Sequence, residues 1–185
     1  MSGTNSFVFR KVAKKYLKKN QRKSGFVNYA KARNIILLFD YADGSVELIN
    51  RIVKSLKEDQ KQVVAYGFLS GKEMHVANNP DIVLLNKKNI GLWKKPEKSI
   101  LEKLKNNHYD ILIDLSLNQS LPLLYLALYA EASLKISSKM ADVPLFDFIL
   151  DIHRQREQGQ MSGDALRQFL FEEIIFYLKS IQTND

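Results

Sequence analysis

Short, nearly all-apolar runs alternate with longer segments whose apolar positions recur every three or four residues, which predicts an α/β fold with a mainly parallel sheet covered on both faces. Two further observations agree. At 185 residues, with 45% hydrophobic and 26% charged residues and only 8 Gly and 4 Pro, the chain can build the core of one domain and is not disordered. After Arg33 no internal repeat or low-complexity linker divides it.

Taken in order, 7–19 (FVFRKVAKKYLKK) sets Val8, Phe9, Val12, Ala13, Tyr16 and Leu17 on one stripe and cations opposite, the pattern of an amphipathic helix. Asn5 or Ser6 can cap its start, and Gly25 suits its end. Residues 34–39 (NIILLF) read as a strand buried on both faces, followed by turn residues over 40–45 and a helix over 46–56. Strands follow at 62–68 and 81–85. Pro96 fits the first turn of a helix through Ile100, Leu101 and Leu104. Residues 109–115 (YDILIDL) are the clearest strand; Asn118 or Ser120 can cap an apolar helix over 122–130. Strands at 133–136 and 146–152 and a helix over 163–181 complete a three-layer Rossmann-like domain, since parallel strands joined by helices need right-handed crossovers. Loops are expected at 137–144 and 153–163.

Charge is distributed unevenly. Residues 1–33 hold ten basic and no acidic residues, and 34–185 hold 18 basic and 20 acidic, a +10 arm on a body of −2. On a continuous helix the cations stack in two columns: Arg10, Lys14, Lys18 and Arg22, and Lys11, Lys15, Lys19 and Lys23. Each like-charge i,i+4 contact costs about 0.2–0.5 kcal/mol. Three readings compete: the stripe packs on the body and the cations are merely solvated; the eight cations contact phosphates of RNA or a ribonucleoprotein such as the ribosome; or the helix lies on an anionic membrane surface. Tyr16, Phe26 and Tyr29 can stack on bases or pack in their own core.

A second site class lies beyond the carboxyl ends of the strands, where open parallel sheets bind ligands. Asp40, Asp43, Gly44 and Ser45 follow the first strand, Asp114, Ser116, Asn118, Gln119 and Ser120 follow the central one, and Asp151 ends the last. Such carboxylates can hold a divalent cation or serve as acid and base, and they serve equally as turn and cap residues. The crevice they form would suit a small ligand or a transferase substrate.

Several chemistries are absent. Zero cysteines removes disulfides, thiolate zinc sites and thiol nucleophiles. FDYADGSVE is not a dinucleotide fingerprint, and neither a phosphate-binding GxxxxGK[ST] nor a GxSxG elbow occurs. His75, His108 and His153 lack metal-ligand spacing. No metal and no cofactor are therefore expected. Trp93, in NIGLWKKP, is either a stacking platform beside Lys94 and Lys95 or an anchor holding its loop to the core. No apolar run approaches a membrane span, so no integral membrane segment is expected and the cytoplasm is the simplest address. A Lys-rich, acid-free N-terminus also admits a transit peptide.

The blocks KARNIILLFD, LLNKKNIGLWKKP, YDILIDLSLNQSLPLLYLALYAEASLKIS and FLFEEIIFYLKSI together resemble an uncharacterised bacterial family of about this length, seen chiefly in the Bacteroidota. The resemblance runs from Arg10 to Ile181 and implies a Rossmann-like fold and a bacterial origin, with no activity to carry over. Where related sequences are expected to have Gly after the strand that here reads LKISSK, this chain has Ser137. Residues 109–136 are also similar to the N-terminal half of heptosyltransferase-like glycosyltransferases, a match generic to strand–helix–strand units. Those enzymes need a second domain for the nucleotide sugar.

Overall fold

In the computed structural model, which describes residues 3–41, 45–69, 79–157, 161 and 163–181, one sheet holds six parallel strands. They are β1 (Asn34–Asp40), β2 (Gln62–Phe68), β3 (Ile82–Leu85), β4 (His108–Asp114), β5 (Glu131–Ser137) and β6 (Phe148–Ile149). Their order, β3-β2-β1-β4-β5-β6, is the doubly wound order of Rossmann folds, with the reversal between β1 and β4. The helices are α1 (Gly3–Lys19), α2 (Ser45–Glu58), α3 (Lys98–Asn106), α4 (Leu121–Tyr129), α5 (His153–Glu157) and α6 (Gly163–Ser180).

The apolar run of β1 is buried throughout because it feeds both layers. Ile35, Leu37 and Phe39 pack against α2 and α6, while Ile36 and Leu38 pack against α3 and α4. Helix α4 (LPLLYLALY) is apolar on every side, which a surface helix cannot be. Its cover comes from α1: the Phe9 ring meets Tyr125 edge-on at 4.9 Å, and Tyr16 meets Tyr129 at 4.4 Å between centroids. Phe9 and Ala13 are core residues, 2% and 0% exposed.

Several elements differ from expectation, each for a visible reason. Helix α1 stops at Lys19, where Asn20 donates both its backbone N–H and its Nδ2 to the Tyr16 carbonyl. Arg22 and Lys23 therefore lie off the helix, and each cationic column loses its last member. The chain then crosses the edge of β5, where the two-residue β6 leaves it unpaired: Gly25 N–H donates to the Ser133 carbonyl, and Arg22 Nη1 donates to the carbonyls of Ala132 and Ser133. Expected strand 146–152 shrinks to β6 because Asp147 turns aside to accept from the Lys135 N–H and from Arg22. Asp151 follows that strand and accepts from the His153 N–H at the start of α5. Pro96 precedes α3, bridged to Ile90 rather than seated in the first turn. The expected loop 153–163 contains α5; residues 158–160 and 162 lie outside the described residues.

Candidate functional site

At the reversal between β1 and β4 the two carboxylates named by the sequence are engaged by the protein itself. Asp40 accepts from the Leu117 N–H (2.8 Å), from Asn118 Nδ2 (3.0 Å) and from Arg167 Nη2 (3.0 Å). Arg167, on α6, is 2% exposed and also donates through Nε to the Leu115 carbonyl and through Nη1 to Asp164. Burial alone would raise the Asp40 carboxyl; the Leu117 amide, the Arg167 guanidinium and Asn118 outweigh it and hold it below the usual carboxylate range. One side chain thus pins the β4–α4 loop and α6 to the end of β1.

Asp114, 3% exposed, accepts from the Ser116 N–H and hydroxyl and from the Ser137 hydroxyl (3.1 Å). Lys139 Nζ lies 3.8 Å from it and donates to Ser116 Oγ (2.7 Å) and the Ser116 carbonyl. The space left among Asp114, Ser116, Gln119, Ser120 and Lys139 is about 10 Å³, room for one water. Ser120 Oγ, at the start of α4, faces burial with no hydrogen-bond partner among the described residues. Ser45 is wholly buried at the start of α2; Asp43, Gly44 and His75 lie outside the described residues. Among the described residues no three His, Cys, Asp or Glu side chains converge on a point that could hold a metal.

The basic residues are placed very differently. With Phe9, Ala13 and Tyr16 turned to α4, the exposed side of α1 carries Arg10, Lys11, Lys14, Lys15, Lys18 and Lys19. Arg10 reaches Asp142 at 3.3 Å, and Lys11 sits 4.6 Å over the Phe7 ring. Lys23 is exposed beyond the helix. Arg22 is the exception: Nη2 lies 2.6 and 2.7 Å from the two oxygens of Asp147, and with its carbonyl partners this makes Arg22 an edge clamp rather than an open cation. Tyr29 is core, and Lys61 Nζ, 8% exposed, donates to the carbonyls of Tyr29 and Ala32. Tyr16 is spent on Tyr129, whereas Phe26 stays 38% exposed.

Helix α1 also packs beside the turn Leu92–Lys94. That contact joins two basic stretches far apart in sequence. Between residues 86 and 107 stand seven lysines and two glutamates. Counting by layer, α1 has six cations and no acid, α3 three lysines and one glutamate, and α4 no charge, a formal +8. On the opposite face α2 has three cations and two carboxylates, and α6 two cations and three carboxylates, a formal zero. Among these five helices the net positive charge is therefore gathered on the side where α1 lies.

Residues 6–181 match the model of a family of unknown function (DUF6913). The chain belongs to that family. The match covers α1 from Ser6 onward, all six strands and α6 up to its end, so the cations of the basic helix lie within the family's shared region. No curated protein and no solved structure matches the chain, and neither the bacterial source nor the heptosyltransferase-like similarity gains support from these comparisons.

Two buried cations escaped the sequence reading, and both carried a signal. Arg167 stands on the apolar stripe of α6 with Leu170, Phe171, Ile174 and Leu178, where a charge must find a buried partner. Lys135 interrupts a strand buried on both faces. Its Nζ donates to the Ala127 carbonyl near the end of α4, and burial, with Arg22 nearby, lowers it to about 7.

Proposed function

We propose that this protein is a non-enzymatic binding module that docks on RNA, or on a ribonucleoprotein such as the ribosome, through the cationic face of α1 and the adjoining lysines of residues 87–105. The observation that carries this reading is the charge difference between the two helical layers, +8 against zero, on opposite faces of one sheet. An extended field of one sign attracts a polyanion and steers its approach. Packing on α4 fixes the α1 backbone in advance, so phosphate binding need not order it.

The two other readings have less to work with. A small-ligand or transferase crevice would need open carboxylates and space, yet Asp40 and Asp114 are consumed internally and about 10 Å³ remains beside Asp114. A membrane-surface helix would insert its apolar stripe, but Phe9 and Ala13 already lie against α4. Among the described residues no helix is long and apolar enough to cross a membrane.

The test compares filter binding and ribosome co-sedimentation of the intact chain with a Lys14→Glu, Lys15→Glu, Lys18→Glu variant. Truncating residues 1–33 would strip α4 of its cover, so exposed charges are reversed instead. Binding should fall with salt, by a log–log slope near 0.7 per phosphate neutralised on a single strand, and the variant should lose it. Equal binding by both proteins, or a slope near zero, sinks the reading.

A further inference from the structure

We propose that the groove beside Trp93 binds single-stranded RNA by stacking a base on the indole while neighbouring lysines hold the phosphates. This rests on the RNA-docking reading above and names the strandedness it selects. The groove, about 600 Å³, is walled by Leu92, Trp93, Pro96, Leu101 and Tyr129. Trp93 is 41% exposed and Leu92 76% exposed, so the lone tryptophan does not anchor its loop in the core as a structural reading of the sequence expected.

The loop holds the indole out at a conformational cost. Trp93 and Lys94 both have φ near 60°, in the left-handed region that disfavours side chains. The segment is nonetheless tightly closed. Asn86 and Asn89 cap each other's backbone, Ile90 bridges Pro96, Gly91 N–H donates to the Lys95 carbonyl (2.8 Å), and Glu97 N–H donates to the Asn89 carbonyl (3.0 Å). A partly exposed indole held on a strained, locked loop is what a preorganised stacking platform requires.

Charge and continuity decide the occupant. The groove itself is lined by Lys95, Lys98 and Lys105 against Glu97 and Glu102, of which Glu102 is paired with Lys98 at 3.3 Å, and the segment 86–107 that frames it holds seven lysines and two glutamates. Tyr129 lines the groove, carries Lys95 Nζ 5.3 Å above its ring and meets Tyr16 of α1, so the groove adjoins the basic helix. A single strand offers open base faces together with a flexible phosphate backbone. A duplex keeps its bases stacked internally and presents phosphates alone, and an acidic peptide has charge without a planar face.

Trp93 is the only tryptophan in the chain, so its emission reports this groove alone. The intact protein is titrated with unstructured oligoadenylate and oligouridylate, RNA duplex, inorganic polyphosphate, polyglutamate and anionic vesicles, with affinity read separately by displacement of a labelled oligonucleotide. Single strands should quench and shift the emission and shield it from acrylamide; duplex and polyphosphate should bind without doing so. Trp93→Ala should weaken single-strand binding roughly 5- to 150-fold while leaving polyphosphate affinity and the salt slope unchanged, and Trp93→Phe should restore most of it. Saturating single-strand binding with unchanged emission and acrylamide access overturns the proposal while leaving RNA docking intact. So does equal or stronger quenching by duplex, polyglutamate or vesicles. Failure of the unmodified protein to bind any polyanion at low salt removes both readings.

Discussion

Arg167 of α6 and Asp40 at the end of β1, 127 residues apart in the chain, meet with Nη2 3.0 Å from Oδ1, and the guanidinium is almost wholly enclosed. The pair occupies the position where this fold ordinarily receives a ligand, and it joins three elements there: β1, α6 and the loop after β4.

Arg167→Met should therefore destabilise the fold by about 3–5 kcal/mol, because Asp40 and the Leu115 carbonyl lose a buried donor. Asp40→Asn should cost less, since an amide oxygen at the Oδ1 position still accepts from Leu117 and Arg167 and only the Asn118 donors to Oδ2 lose their acceptor. Acid behaviour gives a second check. The folded carboxyl titrates below its unfolded value, so its stabilising share is complete above about pH 4 and is lost as pH falls through the lower folded value. Denaturant titrations across that range should show a shallower acid limb in Asp40→Asn.

Lys135 has the opposite linkage. Burial lowers it to about 7, so between about pH 7 and pH 10 the unfolded chain binds a proton that the folded one does not, and stability rises with pH. Lys135→Met should flatten that rise, with the largest gain over the unmodified protein at or below neutral pH. Chemical denaturation from pH 6 to pH 9 reads both, below the range where buried tyrosines such as Tyr66, pushed up to about 12, begin to count against the folded state.

Phe9→Ala should cost about 3–5 kcal/mol, the usual penalty for emptying a buried aromatic site, although residue 9 lies in the charged arm. An unchanged melting temperature would mean that α1 is not seated on Tyr125. Far-ultraviolet circular dichroism should show the loss as part of one global transition.

Lys14→Glu should stabilise the protein and weaken its RNA binding together. The substitution replaces like-charge neighbours at Arg10 and Lys18 with opposite-charge pairs, a gain of about 1–2 kcal/mol at low ionic strength. The gain should shrink in salt. A rise in melting temperature without loss of binding would separate the helix from the docking surface.

Much of the fold could be read directly. The runs at 34–39, 62–68 and 109–115 coincide with β1, β2 and β4 to within a residue or two at each end, because strands buried on both faces leave an unbroken apolar signature. Strand β6 was overestimated because Leu150 and Ile152 are apolar for packing, while the pairing is cut short where Asp147 turns to Arg22. Arg22 differs from its basic neighbours for the same reason: a cation in a basic run looks like the rest until the strand edge it clamps is known.

The sequence by itself determined the alternation of strands and helices, the amphipathic character of α1 and the surplus of positive charge near the N-terminus, since periodicity and composition are local properties. Only the tertiary structure decided the strand order, the engagement of Asp40 and Asp114 by internal donors, and the packing of α1 beside the turn Leu92–Lys94. These depend on contacts between residues distant in the chain, and the all-round apolar α4 accounts for the last of them. A helix with no polar side must be covered, and α1, in covering it, carries its charges to the second basic stretch.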